Sequence, residues 1–123
     1  MSKNNIPLGR QGEDEAVRLL KRKGYRILER NYRTRSAEID IIARDKKVFC
    51  FIEVKTRLSG SFGEAGEAVD ERKQAKIFRA AEIFLKEKGL ADAPARFDVV
   101  SVIPSQGGWR TELIKNAFEG VEI

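Results

Sequence analysis

Three charged residues stand inside two segments that are otherwise apolar. Asp40 ends Glu38-Ile39-Asp40, and Glu53 and Lys55 interrupt Phe51-Ile52-Glu53-Val54-Lys55. Both segments read as buried strands, and a charged side chain is costly to bury unless it is paired or holds a metal. Glu53 and Lys55 are two residues apart and share one strand face. Two carboxylates brought together repel, which raises a pKa or recruits a cation. A divalent ion between them would activate water and neutralise charge on a scissile phosphate, and a lysine beside it would steady the added negative charge. The chemistry this suggests is Mg²⁺- or Mn²⁺-dependent cutting of nucleic acid. The competing account is structural. Acid-x-Lys is a common tripeptide, so Glu53 and Lys55 could be an ion pair at a strand end, with Asp40 a turn-side carboxylate.

Composition narrows the choice. The chain has no histidine and a single cysteine, Cys50, inside an apolar strand. Ser-His-Asp and Cys-His catalysis are excluded, as are zinc sites built on histidine or cysteine clusters. Any metal would be held by oxygen, which favours Mg²⁺, Mn²⁺ or Ca²⁺, and Cys50 reads as a small core residue. The 123 residues suit one domain, 1–123. No apolar run is long enough to span a membrane, and the N-terminus has no signal core, so the expected location is the cytoplasm. The net charge of +5 is unevenly spread. Residues 16–35 hold Arg18, Lys21, Arg22, Lys23, Arg26, Arg30, Arg33 and Arg35 against Glu29 alone, while the remainder holds sixteen basic and eighteen acidic residues. Such a patch is an electrostatic footprint for phosphate backbones; it also fits a solvated helix face followed by a solvated strand edge.

The elements that must position these residues follow from periodicity. Leu8, Gly12, Ala16, Leu19 and Leu20 predict a helix over residues 7–23, with Pro7 in its first turn and Gly24 as its cap. Strands are expected over 25–33, 38–43 and 48–56, the last apolar on both faces and therefore central. Alternation sets Ile39 and Ile41 on one face, and Glu38, Asp40 and Ile42 on the other. The connection over 44–47 has hairpin length, so the second and third strands should be antiparallel neighbours, with Asp40 across from residues 51–53. A loop over 57–69 carries Gly60, Gly63 and Gly66. Asp70 then caps a helix running to Lys88, and strands follow over 97–103, closed by Pro104, and 110–115. The class is α/β: a mixed sheet with helices on both faces.

With these residues placed, the chain resembles the PD-(D/E)xK nuclease superfamily, and within it a widespread family of small bacterial proteins related to archaeal Holliday-junction resolvases. The likeness runs through Gly9-Arg10-Gln11-Gly12-Glu13, Gly24-Tyr25, Asn31-Tyr32-Arg33, Glu38-Ile39-Asp40, Phe51-Ile52-Glu53-Val54-Lys55-Thr56-Arg57, Phe62-Gly63, Lys73, Phe97-Asp98-Val99-Val100 and Asn116-Ala117-Phe118. It departs at Glu38-Ile39, where the superfamily's name implies Pro-Asp, and at Ala37, where glycine is expected. The resemblance implies a restriction-endonuclease-like mixed central sheet flanked by helices, acting on DNA. Asp40, Glu53 and Glu13 would be metal ligands with the Val54 carbonyl, Lys55 would be the catalytic lysine, and a homodimer would act on branched DNA. Glu13 also fits a helix-dipole role. Glu38, on Asp40's face by alternation, is expected as a supporting acid beside Asp40, with an exposed strand-end residue as the alternative. Arg18, Arg22, Arg26, Arg30, Arg33 and Arg35, with Arg57 and Lys73, are the expected phosphate contacts, although Lys73 also fits a solvated lysine. The rival classes are a non-catalytic nucleic-acid-binding module and an accessory interaction protein on the same fold.

Overall fold

The computed structural model describes residues 6–58 and 69–118. Helix α1 spans Leu8–Arg22 and buries Gly12, Ala16, Val17, Leu19 and Leu20. Three strands follow, β1 (Arg26–Arg33), β2 (Glu38–Asp45) and β3 (Val48–Thr56), then helix α2 (Glu71–Glu87) and strands β4 (Ala95–Ser105) and β5 (Gly108–Ile114). The Asp70 carboxylate caps α2, accepting from the Lys73 backbone N–H at 2.8 Å. Of the expected loop over 57–69, Gly60, Phe62, Gly63 and Gly66 lie outside the described residues.

The five strands form one sheet in sequence order. Neighbours are antiparallel except β3 and β4, which run parallel. A parallel pair needs a crossover, and α2 lies in that connection. The apolar strand β3 is third of five, as its composition requires. Helix α1 covers one face, packing with Ile41, Ala43, Cys50, Ile52, Val100 and Val102. Helix α2 covers the other, with Ile39, Ile42, Phe49, Phe51, Phe97 and Val99. The molecule is thus an α/β mixed sheet with helices on both faces. No helix among the described residues is long and apolar enough to cross a membrane.

Two expectations are corrected. Strand β4 does not stop before Pro104; it continues to Ser105. Its pairing with β3 ends at Thr56↔Val102, so among the described residues Pro104 has β5 alone as a strand partner, and the missing N–H is tolerated there. The simple alternation along β2 also fails. Ile39 packs in the α2 core with Ile42, whereas Ile41 packs in the α1 core with Ala43. The change of face falls at Asp40.

Asp98 is fully buried. Its carboxylate accepts from Arg96 Nε at 2.9 Å and from the Asn116 backbone N–H at 2.8 Å, while Arg96 also donates to the Tyr25 hydroxyl at 2.6 Å. The buried charge is therefore paired and bonded, as it must be. Phe118 stacks on Phe97 with centroids 5.3 Å apart. The Phe97-Asp98 and Asn116-Ala117-Phe118 motifs are in this way one structural tie that fastens residues 116–118 to β4. Cys50 is buried, with its thiol pushed up to about 12 by burial first and by Asp98 next, which makes it an inert core residue.

Candidate active site

The antiparallel register of β2 and β3 runs from Asp45↔Val48 to Ile41↔Ile52. Continued by one residue it would set Asp40 across from Glu53. Instead Asp40 leaves the ladder, and its Oδ2 accepts the Val54 backbone N–H at 2.8 Å. One N–H of the central strand is thus satisfied by a carboxylate rather than by a backbone carbonyl. Glu53 is 8% exposed.

These groups line one open pocket of about 440 Å³ with Gly9, Glu13, Lys55 and Thr56. Helix α1 supplies Gly9 and Glu13, and it can do so only because Gly12 has no side chain. A Cβ there would lie 2.0 Å from Thr56 Oγ1 and 2.9 Å from Thr56 Cβ. The close approach seats the first turns of α1 on the end of β3, with Glu13 at the pocket rim. There Glu13 Oε1 accepts from Arg30 Nε at 3.0 Å and from Asn31 Nδ2 at 3.2 Å. Arg30 also reaches Asp14 at 2.7 Å. That bond first, and those to Glu13 after it, raise the Arg30 pKa.

Electrostatics mark Asp40 as the strained member. Burial, then the Glu53 charge and a hydrogen bond shared with it, push its pKa up to about 7; Glu13 adds to the rise and the Val54 N–H opposes it. Two ammonium groups meet Glu53, one from α2 and one from β3 itself. Lys73 Nζ donates to Glu53 Oε1 at 3.0 Å, and Lys55 Nζ stands 4.0 Å from the same oxygen. Burial lowers Lys55, and the neighbouring Lys73 adds to the effect against the pull of Glu53. Burial pulls on Lys73 too, but its hydrogen bond and charge contact with Glu53 outweigh it and its pKa rises.

The residues expected to do chemistry, Asp40, Glu53, Val54, Lys55 and Glu13, are thus gathered in one pocket. Most of the expected phosphate contacts are not. Arg18 pairs with Glu15, and Arg33 pairs with Glu38. Glu38 lies across from Arg33 in the β1–β2 register and pairs with it, as an exposed strand-end residue would. Arg22, Arg26 and Arg35 are exposed. Arg57 follows β3, and its backbone N–H donates to the Val102 carbonyl at 3.0 Å. Lys73 comes to the acid pair. Sequence reasoning missed the roles of Gly12, Arg30 and Asn31. Asn31 carried a signal in its residue type alone: asparagine is among the residues that tolerate the left-handed region, where the structure holds it at φ +55° inside a strand.

The donor set suits a hard divalent ion. It is oxygen-only, it sets the largely buried Asp40 carboxylate beside that of Glu53, and the Val54 carbonyl belongs to the same strand as Glu53. Among the described residues, no group of three histidine, cysteine, aspartate or glutamate side chains is close enough to cage a metal. Two carboxylates with water are, however, an ordinary arrangement for Mg²⁺.

Fold and pocket together define a mixed α/β protein with an acid–lysine pocket at the end of its central strand. A family model described as "Uncharacterised protein family UPF0102" matches residues 12–102, and the chain belongs to that family. A UPF0102 protein of Geobacter metallireducens is 50% identical over 97% of this chain and 98% of its own length. Others from Desulforapulum autotrophicum, at 50% over 91% of this chain and 93% of its own, and Chlorobium phaeobacteroides, at 55% over 90% and 93%, are similar along nearly their whole length.

Proposed function

We propose that this protein is a divalent-metal-dependent nuclease of the PD-(D/E)xK type that hydrolyses DNA phosphodiesters, with branched DNA as a candidate substrate. The observation that carries the reading is the Asp40–Glu53 pair. A fold gains nothing in stability from a largely buried carboxylate set beside a second one, its pKa pushed up to about 7 by burial first and by that neighbour's charge next, unless a cation or a substrate uses the pair. Asp40 and Glu53 would hold Mg²⁺ or Mn²⁺ with the Val54 carbonyl, and Glu13 would add its charge from the rim. When bound, the ion supplies Lewis acidity toward a phosphoryl oxygen and balances its charge. Lys55, beside Glu53 and lowered by burial, orients the attacking water and stabilises the charge that gathers on the phosphate. The exposed arginines hold the backbone.

The test is cleavage of labelled linear, single-stranded and four-way-junction DNA with Mn²⁺ and Mg²⁺, using wild type, Asp40→Asn and Glu53→Gln. Metal-dependent cutting lost in both variants is the expected result. A second reading rests on the Lys73–Glu53 bond at 3.0 Å. With Glu53 already neutralised by a lysine, the pocket could be a salt-bridge cluster in a non-catalytic nucleic-acid-binding or accessory protein. Salt-sensitive DNA binding with no cutting of any substrate would select that reading.

A further inference from the structure

The pairing of β1 with β2 contains Arg30↔Ile41 and Tyr32↔Ile39, stepping over Asn31 and Asp40. Both strands change face at this one level. Arg30 turns to α1, where it bonds Glu13 and Asp14, and Ile41 packs in the α1 core. Two residues on, Tyr32 meets Phe84 of α2 edge-on at 5.3 Å, and Ile39 packs in the α2 core. Residues across from each other on paired strands share a face, so β2 can turn Asp40 out of the ladder only if β1 turns with it. The residue that lets β1 turn is Asn31, at φ +55°. Its side chain meanwhile donates to Glu13 Oε1 at 3.2 Å.

From this we infer that Asn31 is the positioning residue of the pocket. Its left-handed backbone lets Asp40 swing toward Val54, and its amide, with Arg30, holds Glu13 at the same rim. The two demands together select the residue type. Glycine would satisfy the backbone but has no amide. Aspartate would tolerate the backbone but repel Glu13. Alanine satisfies neither. The inference rests on the metal-site reading above and extends it to a residue that touches neither metal nor phosphate.

The test measures Mn²⁺ affinity of the full chain by electron paramagnetic resonance titration, with thermal melts alongside, for wild type, Asp40→Asn, Asn31→Gly, Asn31→Ala, Glu13→Gln and the double variant Asn31→Gly/Glu13→Gln. Groups that orient metal ligands commonly change affinity by on the order of tenfold or more. The expected result is that Asn31→Gly melts near wild type yet binds Mn²⁺ severalfold more weakly. Its effect should merge with that of Glu13→Gln in the double variant instead of multiplying. Asn31→Ala, forced into a left-handed conformation, should be weaker still and melt lower. In cleavage, Asn31→Gly should lower kcat and leave KM for DNA unchanged. Wild-type affinity in Asn31→Gly, or multiplying effects in the double variant, would overturn the amide role. An Asn31→Ala no worse than Asn31→Gly would overturn the backbone role. Either failure leaves the metal-site reading standing, provided wild type binds Mn²⁺ and Asp40→Asn does not. If wild type shows no Asp40-dependent Mn²⁺ binding, the metal-site reading fails and this inference falls with it.

Discussion

Lys73 of α2, not Lys55 of the strand motif, makes the close contact with Glu53: Nζ lies 3.0 Å from Oε1, while Lys55 Nζ stands 4.0 Å from the same oxygen. The lysine that neutralises the acid and the lysine with the lowered pKa are therefore different residues. A cation on Glu53 competes with a metal ion for that oxygen. Lys73→Gln is expected to tighten Mn²⁺ binding severalfold. It should also cost about 1 kcal/mol of stability at most, since the Lys73 side chain is 42% exposed and its partner contact is screened. Calorimetric titration with Mn²⁺ and chemical denaturation read the two effects. Weaker Mn²⁺ binding in Lys73→Gln would mean that Lys73 supports the site instead of competing for it.

Asp40 sets a pH dependence whose sign is fixed by the direction of its shift. Its ordinary value is 3.8, and in the fold it is pushed up to about 7, by burial first and by Glu53 next. Between about pH 4 and pH 7 the folded protein holds a proton that the unfolded chain has released. Without metal, stability should fall as pH rises through that window and flatten above it. Asp40→Asn removes the titration, so the variant should exceed wild type at pH 8 by on the order of 1–3 kcal/mol and converge with it near pH 4. Melts across this range in a chelator test the sign, and parallel curves for the two proteins would refute it. Adding Mn²⁺ at pH 8 should raise the wild-type Tm and leave Asp40→Asn unmoved.

Gly12 ties the stability of the α1–β3 contact to the site. The Cβ of Gly12→Ala would meet Thr56 Oγ1 at 2.0 Å and Cγ2 at 2.8 Å, and threonine, branched at Cβ, has few rotamers in which to retreat. The helix should shift outward, costing about 1–3 kcal/mol, and Glu13 should move off the pocket rim with it. Gly12→Ala/Thr56→Ala should recover part of the loss, since the two nearest atoms, Oγ1 and Cγ2, are gone and the contact to Cβ at 2.9 Å stays. Urea denaturation with Mn²⁺ titration of both variants checks the link. Full metal affinity in a destabilised Gly12→Ala would separate the packing from the site.

Much of this arrangement was legible in the sequence, because burial periodicity and misplaced charge are local signals. The 3.6-residue pattern located both helices, and the doubly apolar run at Phe49–Ile52 marked β3 as central. The charges of Asp40, Glu53 and Lys55 in apolar strands marked the pocket. What stayed hidden depends on distant partners. Alternation holds only along a regular strand, so it mis-set Ile39 against Ile41 once both strands changed face at Asn31 and Asp40. The Lys73–Glu53 contact spans twenty residues and follows from the rotation of α2, which packing decides. Pro104 ended β4 too early on paper because its tolerance depends on where β3 stops.

The basic stretch divides into paired and exposed arginines, which salt dependence should separate under the proposed function. Arg30 is committed to Glu13 and Asp14, with its pKa raised chiefly by the Asp14 bond. Arg22, at the end of α1, Arg26, at the start of β1, and Arg35, in the β1–β2 turn, are exposed to solvent. An arginine that meets a phosphate releases counterions, and each such contact steepens the dependence of log affinity on log salt by about 0.9. Arg22→Ala, Arg26→Ala and Arg35→Ala should therefore each weaken DNA binding and flatten the salt slope by up to that amount, with Mn²⁺ affinity unchanged. Arg30→Ala should do the reverse: Glu13 loses its Arg30 hydrogen bond and ion pair, Mn²⁺ binding weakens, and the salt slope stays near wild type. Fluorescence anisotropy with labelled DNA across a salt series, paired with Mn²⁺ titration, tests both halves. A flattened slope with intact Mn²⁺ affinity in Arg30→Ala would assign Arg30 to the DNA backbone and leave Asn31 as the donor holding Glu13.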